Sequence, residues 1–155
     1  MIALLLLLQT ANGLPLASVV GYVDGKNPAR YHYEIRNERK DAEVVAVLIG
    51  QRNEVCQLQS KPLGWTTEQG LPASSAKTPK GWEAAAYADQ SANRDSWCVE
   101  FSVIQSTRNA PAVRGGTSLK DFEVTAIAPD QAYLSTYLAY FDDGRTIAGN
   151  IVRRR

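Results

Sequence analysis

The chain has 155 residues, with 17 basic and 16 acidic side chains and a net charge of +1 at neutral pH. That length suits one domain with a core of its own, and a hydrophobic content of 45% excludes wholesale disorder. The balanced charge argues against DNA or RNA as a main partner, because neutralising phosphates takes a basic excess.

Residues 2–8 form an unbroken apolar run, followed by polar and then small residues. A bilayer span needs about 20 apolar residues, so the run is too short to cross. It suits the hydrophobic region of an export signal, although no basic residue precedes it. Residues 1–17 therefore read as a signal peptide and residues 18–155 as one secreted domain, with the mature chain starting between Leu14 and Ser18.

Strand signals dominate from residue 18 onward. A short apolar run over residues 18–23 ends in Asp24, Gly25, Lys26, Asn27 and Pro28, which are turn residues. In residues 30–37, Tyr31, Tyr33 and Ile35 alternate with His32, Glu34 and Arg36, the period-two mark of a half-buried strand. Residues 44–49 are continuously apolar and read as a central strand. Residues 61–95 are rich in Pro, Gly, Ser and Ala and predict a long loop, with a turn of helix near residues 82–88. Strands resume over residues 97–104, 119–127, 132–141 and 146–152, with Asp143-Gly144 marking a hairpin before the last.

This pattern predicts an all-β fold, an antiparallel β-sandwich of about seven to eight strands with one long inserted loop. Cys56 and Cys98 are the two cysteines of the chain. They are even in number, not arranged as C-x-x-C, and follow an export signal, so the expected state is one disulfide, which could pin facing sheets. A zinc site usually takes four Cys or His ligands, and His32 is the single histidine.

His32 is also the sole candidate proton shuttle for a hydrolytic triad, and its polar parity predicts a solvent-facing side chain. The carboxylates form no paired cluster of the kind glycosidases use, and no phosphate-binding glycine loop is present. No catalytic residue, metal site or cofactor is expected. The aromatic residues are the best lead. Pro62-Leu63-Gly64-Trp65 and Pro79-Lys80-Gly81-Trp82 share the pattern P-x-G-W inside the predicted loop. Trp65, Trp82 and Tyr87 are thus the candidate contacts for a ligand or partner, unless the tryptophans pin the loop to the core instead.

The run Tyr31-x-Tyr33-x-Ile35-x-Asn37, with Gly116-Thr117-Ser118-Leu119-x-x-Phe122 before a late strand, resembles immunoglobulin-like or fibronectin-like domains of secreted bacterial proteins. The resemblance implies a binding or structural module and names no ligand. The expectation is a non-enzymatic structural or adhesive module, secreted or at the cell surface, that contacts other extracellular proteins or itself. A carbohydrate-binding module using the loop tryptophans is the alternative, with a glycan as partner.

Overall fold

The computed structural model describes residues 16–89, 95–105 and 111–155. The predicted leader lies outside them except for its last residues. Among the described residues there is no α-helix, and none is long and apolar enough to cross a membrane.

Two five-stranded sheets face each other. The first contains β1 (Ala17–Asp24), β2 (Ala29–Asn37), β6 (Ala76–Lys77), β9 (Thr117–Ala126) and β12 (Val152–Arg153), in the order β12-β1-β2-β9-β6. The second contains β3 (Val44–Ile49), β7 (Trp82–Asp89), β8 (Ser96–Val103), β10 (Thr136–Phe141) and β11 (Thr146–Asn150), in the order β11-β10-β3-β8-β7. A small hairpin of β4 (Gln51–Arg52) and β5 (Val55–Cys56) extends from the end of β3. The predicted antiparallel sandwich is therefore the observed architecture, with one parallel pair, β1 with β12.

The core follows from strand parity. On β2, Tyr31, Tyr33 and Ile35 point inward and are buried, as are Phe122, Val124 and Ala126 on β9. They meet Val47 and Ile49 of β3, Val99 and Phe101 of β8, and Tyr137, Ala139 and Phe141 of β10. Rings lock the two sheets together. Phe101 lies 5.3 Å from Phe122 and 5.9 Å from Tyr33, and Trp82 packs edge-on at 5.0 Å against Phe122. Tilted and edge-on pairs of this kind add about 0.5–1.5 kcal/mol each beyond their buried area.

Three expectations are corrected. The helical turn near residues 82–88 is instead strand β7, paired along its whole length with β8. Its alanines favour helix in isolation, but pairing against a hydrophobic strand outweighs that local preference. The long predicted loop is also shorter and more anchored than its composition suggests. Leu58 bridges to Trp97 and Pro62 to Ala126, and Ala76 and Lys77 add a short edge to β9. Finally, residues 131–134 form a 3-10 turn rather than the start of β10. The side chain of Asp130 caps that turn by accepting from the Ala132 amide.

Candidate functional site

The two P-x-G-W segments are the same turn used twice. The Trp65 amide donates to the Pro62 carbonyl and the Trp82 amide to the Pro79 carbonyl. Gly64 and Gly81 take φ values of +70° and +87°, which the third position of a type II turn requires and glycine adopts without strain. Each turn then throws its tryptophan back onto the body. The Trp82 ring is buried, and its Nε1 donates at 2.7 Å to the Pro111 carbonyl. The Trp65 ring is half-buried against Trp97, and its Nε1 donates at 2.9 Å to the Ala86 carbonyl. Trp82 has no open face for a ligand, and Trp65 has little. Tyr87 is different: it projects from β7 and is half exposed.

Cys56 and Cys98 are disulfide-bonded, with their Cα atoms 5.1 Å apart. The bond does not pin facing sheets. It ties the β4–β5 hairpin to β8 within the second sheet, because Cys56 lies on β5 and Cys98 on β8. The Asp89 carboxylate reinforces the junction by accepting from the Cys56 amide.

The outer edge of β7 is the longest open edge among the described residues. Pairing with β8 uses the backbone groups of the odd-numbered residues. Ala84, Ala86 and Ala88 direct theirs outward, as the Trp65 bond to the Ala86 carbonyl shows. No backbone partner covers the outward groups of Ala84 and Ala88 among the described residues. An unpaired row of this kind is a template for a further strand.

A second cluster, on the outer face of the first sheet, was not anticipated from sequence. Tyr22, His32, Glu123 and Lys77 fall opposite one another on β1, β2, β9 and β6, forming a row across the sheet. Tyr22 stacks on His32 with ring centroids 4.5 Å apart. His32 Nε2 lies 2.8 Å from Asp24 Oδ2, and Nδ1 lies 3.3 Å from Glu123 Oε1. His32 has the expected outward parity, and two carboxylates and a ring enclose it so that its side chain keeps 15% exposure.

The next row holds Glu34. Its side chain is 10% exposed although it too points outward. Arg36 Nε donates to Glu34 Oε1 at 2.9 Å, while no donor among the described residues reaches Oε2 within hydrogen-bond distance. Lys120 Nζ and Arg154 Nη2 stand 4.0 and 3.8 Å from Oε2. The Arg36 hydrogen bond holds the Glu34 carboxyl below its ordinary range. Burial opposes this, and the Arg36 charge, the Ser118 hydroxyl and Lys120 add to it. Opposite Glu34 the ladder slips by one residue, a β-bulge, and Asp121 takes a φ of +69°. Bulges re-aim side chains and are frequent beside functional sites. Hairpin register alone could have placed His32 beside Tyr22. Nothing local could have brought residues 120 and 154 to Glu34.

No protein-family model matches the chain, and no curated protein matches it. The crystal structure of an uncharacterized protein from Nocardia farcinica, reported to have an immunoglobulin-like fold, matches with a TM-score of 0.51. The match covers 84% of this chain and 82% of that one, at 16% identity. The fold is immunoglobulin-like. At that identity the likeness concerns architecture alone, and within this immunoglobulin-like sandwich the open chemistry lies on the β7 edge and around Glu34.

Proposed function

We propose that this immunoglobulin-like domain is a non-enzymatic extracellular structural or adhesive module that works by protein–protein contact. The observation that carries the reading is the open edge of β7, with exposed Tyr87 beside it. Strand addition to such an edge gains main-chain hydrogen bonds, while neighbouring side chains supply selectivity. Tyrosine is enriched at contact surfaces because its ring is apolar and its hydroxyl remains hydrated. A disulfide between Cys56 and Cys98 supports an oxidising compartment. The alternative of glycan binding by the loop tryptophans gains no support from their placement, since both indoles serve to fasten their turns.

Self-association through β7 is the simplest form of the proposal. Sedimentation velocity over a wide concentration range should show reversible association. Ala88→Pro should abolish it, because it removes an outward N–H without touching the ladder to β8. A chain that stays monomeric throughout, or associates equally well with Ala88→Pro, would falsify the edge-pairing reading.

A further inference from the structure

We propose that the cavity around Glu34, on the outer face of the first sheet, binds a single neutral sugar residue through its hydroxyl groups. The inference is independent of the β7 edge. The cavity has a volume of about 160 Å³ and lies among Tyr22, Glu34, Lys120, Asp121, Glu123 and Arg154. A cavity of about 150 Å³ takes up a ring the size of benzene, so a sugar seated here leaves part of its ring in solvent.

The chemistry of the lining selects the ligand class. Glu34 Oε2 is buried and receives no donor among the described residues. The cations beside it stand at 3.8 and 4.0 Å, beyond the 2.7–3.2 Å typical of a direct N–H···O bond. Lys120 and Arg154 are exposed side chains that cover Oε2; a ligand hydroxyl that displaces them donates to Oε2 and accepts from either cation in turn. Neighbouring hydroxyls on a sugar ring can do this in pairs. An anionic ligand would meet Glu34, Asp121 and Glu123, and a cationic one would meet Lys120 and Arg154. A neutral polyol is repelled by neither set.

Two further features fit a ring-shaped polyol. Tyr22 keeps 38% exposure and is held in place by its stack on His32, which itself is clamped between Asp24 and Glu123. An aromatic face supported in this way can pack against the apolar face of a sugar. The bulge at Lys120 and Asp121 bends β9 opposite Glu34. Arg154 is brought to the same place because its amide donates to the Gly21 carbonyl, which fixes the end of β12 beside β1.

The test titrates the methyl glycosides of glucose, galactose and mannose into the full chain, with amide chemical shifts as the readout. At least one glycoside should give saturable shifts at Tyr22, Glu34 and residues 120–122. Glu34→Gln should weaken that binding tenfold or more. Tyr22→Ala, at a residue 38% exposed, should weaken it while the β-sheet circular dichroism signal is retained, which keeps the test valid should the Glu34 variant fold poorly. The proposal is overturned by any one of four results: no saturable shift with any of the three, shifts confined to Tyr87 and the loop tryptophans, equal shifts from glycerol, or binding unchanged in both variants. Competition by sodium acetate or methylammonium chloride would also overturn it, since the site would then be ionic.

Discussion

The indole of Trp65 donates its hydrogen bond to the carbonyl of Ala86, an outward-facing group on the edge strand β7. One residue of a turn thus caps one position of an otherwise open edge. Trp82 ends the matching turn and lies in the core against Phe122. Trp82→Ala should therefore cost on the order of 3 kcal/mol, the usual scale for emptying a buried aromatic site. Trp65→Ala should cost less, about 1–2 kcal/mol for a half-buried ring and one hydrogen bond. Denaturant unfolding of both variants checks the order. Equal, negligible losses would show that the rings do not fasten their turns.

Replacing Cys56 and Cys98 together by serine should destabilise the domain by up to about 4 kcal/mol, from the chain entropy of the loop that the bond closes. The two cysteines are 42 residues apart in sequence. Because the bond anchors a hairpin rather than the two sheets to each other, hydrogen exchange should quicken first in β4 and β5. Protection lost first in β2 and β9 would contradict that placement.

Alkaline pH should unfold the protein. Tyr31, Tyr33, Tyr133 and Tyr137 all have their hydroxyl pKa pushed up, chiefly by burial. An unfolded tyrosine ionises near pH 10. Folded-state values above that mean the stabilisation is complete below pH 10 and is lost as pH rises beyond it toward the folded values. Tyrosinate absorbance from these rings should appear together with loss of the β-sheet circular dichroism signal. Four rings ionising near pH 10 with the sheet signal intact would refute this.

Cleavage of the export signal expected from the sequence should leave Leu16 and Ala17 in place. The sequence puts the end of the leader at Ala17, yet Ala17 is buried in β1, and its carbonyl accepts from the Tyr137 hydroxyl at 2.7 Å. The Leu16 carbonyl accepts from the Glu38 amide. N-terminal sequencing of secreted material should find a start at or before Leu16. A start at Ser18 with unchanged Tm would show that these bonds contribute nothing.

How far the sequence reveals this fold depends on where each element draws its stability. β2 was legible because its tyrosines and isoleucine alternate strictly, and that parity persists in the sheet. The P-x-G-W turns were legible because proline and glycine act locally. β7 was not, since Trp82–Asp89 carries four alanines and becomes a strand only by lying along β8. The Glu34 cavity was not legible either, because its lining comes from β1, β2, β9 and the segment after β12.

The parallel pairing of β1 and β12 sets how the domain responds to being pulled. Val20 lies opposite Val152 and Gly21 opposite Arg153, with the two strands running in the same direction. A force that draws the chain apart from both sides therefore slides one strand along the other and loads their hydrogen bonds at once, instead of peeling them in succession. The last segment also crosses from the second sheet to the first between β11 and β12, so the same tension draws on both layers. The short β1–β12 contact therefore shares such a load with the longer β1–β2 ladder beside it.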